Sequence, residues 1–283
     1  MRFKTIVLTL FLAALVAVPL QAEDEKTGWH STADFGLVVT GGNAESETIA
    51  FKDETKRVWD KSSMTFKLGA LRSEKTSTSR TAFGAAGSFV VDEVDTTDLT
   101  AESYYFEGRY DQEIHERFFW FTGAGWDRNR PSGIESRVTA FGGVGNIWRD
   151  DDKILFRTDY ALSYTDREDV TMTPGADASY AGARVSWVYR HQFTESTQYV
   201  NDFVFDYGFN ESDNWRANMI NAVAVSINDR LALKFSLQLL YENLPPLTTI
   251  PLFDMVGGTQ IGTVPFQLDE LDTLVSAALV VNF

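Results

Sequence analysis

The residues in this chain best suited to catalysis are three histidines, His30, His115 and His191. A general base must lie within hydrogen-bond reach of its nucleophile and substrate. His30 begins the first predicted strand, His115 stands in the turn IHER, and His191 ends the eighth predicted strand. All three therefore map to the same end of the strands, where they read as interfacial or turn histidines. Metal chemistry has no better foothold. The sequence contains no HExxH spacing, and RDDDK lacks the glycine and distal glutamate of a calcium loop. The acidic stretch DEVDTTD reads as a solvated loop with weak divalent-cation binding at most. The chain has no cysteine, which removes disulfides, thiolate ligands and a lipoprotein anchor. The sequence thus assigns no catalytic residue, no metal ligand and no cofactor.

The remaining charges are patterned by strands. After residue 28 the dominant period is two, as in Leu231, Leu233, Phe235, Leu237, Leu239 and Tyr241 against Ala232, Lys234, Ser236, Gln238, Leu240 and Glu242. The spacing predicts about twelve strands, near residues 28–40, 46–58, 63–73, 100–113, 117–128, 134–148, 153–166, 179–192, 197–209, 214–227, 230–243 and 269–283. Most exceed the roughly 5 to 6 residues usual in soluble sheets and are close to, or somewhat beyond, the about 9 to 11 of a tilted membrane-crossing strand. Short polar turns (WDKSS, IHER, RDDDK, FTEST, INDR) alternate with longer links. This parity predicts an all-β, antiparallel up-and-down transmembrane barrel with its short turns on the periplasmic side. Trp29, Trp59, Phe118, Trp120, Trp148, Trp187, Tyr189 and Phe283 fall near the turn-side strand ends, where an interfacial aromatic girdle belongs.

Turning the apolar residues outward sends Asp34, Lys67, Glu107, Arg109, Arg137, Arg157, Asp159, Arg184, Arg190, Asp202, Asp206, Arg216, Lys234, Glu242 and Asp272 into the lumen. Of these, Arg109, Arg137, Arg157, Asp159, Arg184, Asp202, Asp206, Arg216 and Lys234 are the candidate selectivity residues of a pore. Equally, facing charges in a narrow lumen can pair and close it. The second strand resists the pattern. Asp53 and Arg57 share parity with Ile49, Phe51 and Trp59, so a bulge or a protruding strand end is expected there. TAFGAAGSFVV within the first long loop could hold a further hairpin, which would raise the count to fourteen strands.

Composition agrees with this reading. Forty acidic against 25 basic residues give a formal charge of −15, which argues against nucleic acid as a partner. A mean hydropathy of −0.18 is far too polar for a helical membrane protein. The N-terminus, MRFKTIVLTLFLAALVAVPLQA, reads as a signal peptide over residues 1–22, leaving residues 23–283 as the barrel.

GWDRNRPSGIESRVTAFGGVGNIW, with Asp127, Arg128, Gly133, Ile134, Arg137, Gly142, Gly143 and Gly145, resembles the middle of the YdiY-like salt-induced outer membrane proteins, known as domain of unknown function 481. Gly42-Asn43 in TGGNAESE, and Arg57 and Trp59 in KRVW, resemble that family's N-terminal pattern. The resemblance implies a bacterial outer-membrane barrel and supplies no activity. A terminal Phe283 also resembles the assembly signal of such barrels. Outer-membrane lipid and the outer-membrane assembly machinery are then the expected partners, with small ions or solutes as cargo. The expected role is non-enzymatic: a narrow pore, or an envelope component in salt or osmotic stress. The alternatives are a closed structural or adhesive barrel that binds a partner through its outer loops, and a lipid-modifying enzyme, which the histidine placement disfavours.

Overall fold

The computed structural model describes residues 27–40, 44–85, 88–171, 177–253 and 260–282. The expected signal segment and Phe283 lie outside the described residues. Alternating side chains make each strand two-faced, and a sheet with one apolar and one charged face buries its charged side only by curling closed. The strands are β1 (Gly28–Thr40), β2 (Ala44–Val58), β3 (Ser62–Ala85), β4 (Ser88–His115), β5 (Phe118–Asn129), β6 (Ile134–Asp150) and β7 (Ile154–Asp169). They continue as β8 (Ser179–Gln192), β9 (Thr197–Gly208), β10 (Trp215–Ser226), β11 (Leu231–Glu242), β12 (Leu247–Phe253), β13 (Gln260–Gln267) and β14 (Leu271–Asn282). Twelve close into one barrel in the order β1-β14-β11-β10-β9-β8-β7-β6-β5-β4-β3-β2, every pair antiparallel.

β12 and β13 form a separate hairpin inside the last long link. That link reads as a loop in the sequence because Pro251 and Pro265 interrupt the strand pattern; here they lie within a two-stranded ribbon that is all edge, where proline is tolerated. The first long link also differs from expectation. TAFGAAGSFVV adds no new strand to the barrel. Its described residues are the ends of β3 and β4 themselves, which stay paired from Ser62↔Gln112 to Ala85↔Ser88 with one register shift near Ser73. β2 leaves β3 at Ser77 and β5 leaves β4 at Ser103, so beyond these points the two strands pair only with each other among the described residues. From Thr78 it projects about 25 Å at the rise of an extended strand. Cross-strand bonds such as Thr78 Oγ1 donating to Asp95 (2.8 Å) tie the ribbon together.

The register fixes which face looks outward. Phe35, Leu37, Ile49, Leu162, Phe235 and Val275 are exposed large apolar residues on the outside, while Asp34, Asp111 and Asp159 are buried inside. Trp29, Trp59, Phe118, Trp120 and Trp148 are exposed at the short-turn end. Of the two reliefs expected in β2, a bulge is not formed: its pairing with β1 and β3 runs without a shift. Asp53 does face outward, where Ser31 (3.2 Å) and Thr55 (2.9 Å) donate to its carboxylate. Arg57 faces outward beside Trp29 and Trp59, its guanidinium carbon 5.6 and 5.7 Å from their ring centres. The strand keeps its charge by solvating it locally with hydroxyls and aromatic faces.

Candidate functional site: the lumen and its mouth

Inward positions place Arg109, Arg137, Arg157, Asp159, Arg184, Asp202, Asp206, Arg216 and Lys234 all on the inner face. They do not form one ring. Arg109 and Arg157 alternate with Asp111 and Asp159 in a four-membered cluster. Arg109 donates to Asp111 (2.7 Å) and Asp159 (2.6 Å), and Arg157 to both carboxylates at 3.2 Å. β4 and β7 are three strands apart, so this cluster bridges over β5 and β6. It can do so because β5 and β6 offer rings in place of charges. Arg109 lies over Phe121 (3.9 Å) and Arg157 over Phe119 (4.6 Å). Those rings need room, and glycines provide it: a Cβ on Gly145 would stand 2.1 Å from the Phe119 ring.

A second group lies on the other side of these phenylalanines. Arg184 holds Asp206 at 2.7 Å, Arg216 shares the same carboxylate at 3.1 Å, and Arg184 covers Phe141 at 4.6 Å. Near the long-loop end, Arg137 grips Asp127 with two bonds (3.0 and 2.8 Å). Arg167 pairs with Asp169 and with Glu242, four strands away on β11, so this pair crosses the lumen.

The opposite wall, built from β1, β2, β3, β11 and β14, is looser. Lys234 meets Asp34 at 2.5 Å, and Lys67 lies 3.8 Å from Glu54 with both side chains about two-fifths exposed (41% and 43%). Lys52, Lys56 and Arg190 form no ion pair among the described residues. Asp202 keeps one buried carboxylate oxygen without a hydrogen bond.

The long-loop mouth is bridged from side to side. The β5–β6 turn, residues 130–133, lies half-way round the ring from the β11 and β14 strands. Ser132 nevertheless donates to Asp272 of β14 at 2.5 Å. Gly133, at φ +80°, presses so closely on Pro246 and Leu268 that a Cβ there would meet them at 2.6 and 2.9 Å. Pro246 accepts from the Leu268 amide at 3.1 Å, which pins the neck of the β12–β13 hairpin.

Sequence reasoning missed Lys52, Asp111, Arg167 and the three inward phenylalanines, Phe119, Phe121 and Phe141. The glycines Gly123, Gly143 and Gly145 facing those rings are the signal that marks them. The three histidines all stand at the short-turn end, and His191 faces outward against Tyr189 (3.2 Å) and Phe193. Among the described residues no cluster of His, Asp or Glu has the form of a metal site.

A barrel that is charged within and apolar without is built the opposite way to a soluble one, and is of the class that spans membranes. The chain belongs to the family described as "Protein of unknown function, DUF481", whose model matches residues 33–249. No curated protein matches the sequence. Among solved structures, the chain is similar to the translocator domain of autotransporter NalP from Neisseria meningitidis, at 8% identity and a TM-score of 0.43, over 91% of this chain and 88% of that one. It is also similar to an anion-selective porin from Comamonas acidovorans, at 8% identity and a TM-score of 0.39, over 91% and 99% of the two chains. At such identities and scores these likenesses carry no argument about function.

Proposed function

We propose that this protein is a bacterial outer-membrane barrel, closed to through-flow at rest, that displays the β3–β4 and β12–β13 hairpins outside the cell as a binding surface. Export by residues 1–22 and assembly with Phe283 as the terminal signal belong to the same reading, as does a non-enzymatic role. The observation that carries closure is the tie across the mouth, where the β5–β6 turn sits on the Pro246–Leu268 neck. Below it the Arg109–Asp159 cluster fills one side of the lumen. Vesicles containing refolded residues 23–283 are expected to swell in isotonic arabinose or potassium chloride no faster than empty vesicles. Rapid swelling would overturn the closed reading.

The second reading is a narrow pore that opens under salt or osmotic stress. It is favoured by the partly exposed Lys67–Glu54 pair, by Lys52 and Lys56 on the same wall and by Arg190 of β8, none of these three forming an ion pair among the described residues. Ion pairs that reach water weaken as ionic strength rises, so salt acts on this wall before the buried cluster.

A further inference from the structure

A polar side chain on the lipid face of a barrel has to find its hydrogen bonds without water. β10 carries such a side chain at its centre. Asn221 shares parity with Val223 and Val225, which are exposed outside, while Ala222 beside it is buried. Leu237, its pairing partner on β11, is exposed outside as well. β10 runs Trp215–Ser226, 12 residues against the about 9 to 11 that cross a bilayer, so Asn221 stands near mid-membrane and not among the headgroups. Across the other ladder it meets Asn201 of β9, a second amide on the same outer face.

The two amides belong to one directed chain of hydrogen bonds. The Trp187 indole donates to the Asn201 carbonyl oxygen at 2.7 Å. The Asn201 amide nitrogen (2.9 Å) and the Tyr199 hydroxyl (2.7 Å) then both donate to the carbonyl oxygen of Asn221. Trp187 is held in place by stacking on Phe203, their ring centres 4.0 Å apart. The chain stops at Asn221. Its oxygen already accepts twice, and its N–H groups donate to nothing among the described residues. The Tyr199 oxygen donates but accepts nothing among the described residues. A spare donor and a spare acceptor therefore stand on neighbouring strands of a face that meets hydrocarbon, which supplies neither. Other outward polar groups are answered within the chain: Asp53 by Ser31 and Thr55, and Thr122 by the Phe141 carbonyl at 3.2 Å.

We propose that the outer face of β9 and β10 is the interface between two copies of this barrel lying side by side, the Asn221 amide of each donating to the Tyr199 oxygen of the other. This rests on the barrel spanning a membrane. A second copy suits the site because a two-fold pair is isologous: the spare donor of one copy meets the spare acceptor of its partner, and the same contact is made twice. Tilted strands related by such an axis cross, so their contact concentrates at mid-strand, where Asn221 stands.

Sedimentation equilibrium of the refolded barrel in density-matched micelles tests this. A reversible monomer–dimer equilibrium is expected. Asn221→Leu and Tyr199→Phe each remove both reciprocal bonds and should raise the dissociation constant about tenfold, the scale of two side-chain bonds within a membrane. Heat-shifted migration of both variants should match the wild type. The chain has no cysteine, so Val223→Cys, one outward position from Asn221, should give a disulfide-linked dimer in mild oxidant, whereas Phe106→Cys on β4, on the far side of the barrel, should not. Protease protection in phosphocholine vesicles reports insertion, and a barrel that fails to insert refutes the membrane reading itself. An inserted barrel that stays monomeric at every concentration overturns the pairing alone, and so does a dimer that neither variant weakens or that links as readily through Phe106→Cys. A monomer that retains phospholipid through purification, and loses it in Asn221→Leu, would give the amides to a lipid instead.

Discussion

Ser132 and Asp272 are 140 residues apart in sequence and start from opposite sides of the barrel, yet the Ser132 hydroxyl donates to the Asp272 carboxylate at 2.5 Å. This bond makes the mouth a bridged structure and not a ring of independent loops. The chain has no cysteine, so Ser132→Cys/Asp272→Cys should cross-link internally in mild oxidant without competing partners. Faster non-reducing gel migration of the folded barrel is the expected result. Failure to form the bond at any oxidant concentration would place the β5–β6 turn elsewhere.

Asp159 is buried and shared by two arginines, Arg109 and Arg157. Removing it leaves Arg109 and Arg157 to share the single carboxylate of Asp111 beside aromatic rings, and breaking a buried pair costs about 3–5 kcal/mol. Asp159→Ala should accordingly lower the temperature of the heat-shift transition sharply. Combining it with Arg109→Met should recover part of that loss, because the uncompensated charge leaves with the arginine. Equal and additive losses in the double-mutant cycle would mean that the two side chains do not couple.

The alternation along Leu231–Tyr241 made the barrel legible, and parity alone put Arg157, Arg184 and Lys234 inside. Which charges meet was not legible, because Arg109 reaches Asp159 only once the sheet has curled over β5 and β6, and closure is a property of all the strands together. The inward phenylalanines were hidden for a related reason. A rule that turns apolar residues outward misplaces Phe119 and Phe121, whose sides are set by the glycines across from them. The roof was illegible because no local pattern links residue 132 to residue 272.

Gly145 and Gly143 fail in different ways when given a side chain. A Cβ on Gly145 meets the Phe119 ring at 2.1 Å and Asp159 at 2.6 Å, whereas on Gly143 it meets the Tyr160 backbone oxygen at 1.9 Å. Overpacking of this kind costs about 1–3 kcal/mol when side chains can yield. Gly145→Ala should fold with reduced resistance to urea, and Gly143→Ala should be worse, since a backbone oxygen in a sheet cannot move aside. The reverse order would contradict the packing described for β6.

In the β6–β7 turn, Arg149 (2.6 Å) and the amides of Ile154 (2.8 Å) and Lys153 (3.0 Å) all donate to Asp151. Together they hold its carboxyl down at about 2, with Arg149 the largest cause. A carboxyl depressed by folding stabilises the turn fully above its unfolded value of about 3.9 and ceases to do so as pH falls through the folded value. Carboxyl carbon shifts in micelles should titrate near pH 2 and move upward in Arg149→Ala. A wild-type midpoint near the unfolded value would show that these bonds do not persist in solution.

Among the described residues the β3–β4 ribbon beyond Ser77 pairs with no other strand of the barrel. Deleting residues 75–97 should leave heat-shifted migration intact while abolishing binding to cells or matrix, if display is the role. Retained binding would remove the ribbon from the surface reading and leave β12–β13 as the remaining hairpin.

The central claim is that the lumen is shut by the ties across its mouth and below it, and single-channel conductance in a planar bilayer tests it most directly. The wild-type barrel should stay electrically silent at moderate salt, whereas Arg167→Ala combined with Asp272→Ala, which cuts both the Glu242 bridge and the Ser132 bond, should give discrete current steps. Steady conductance from the wild type, unchanged by those substitutions, would contradict the account.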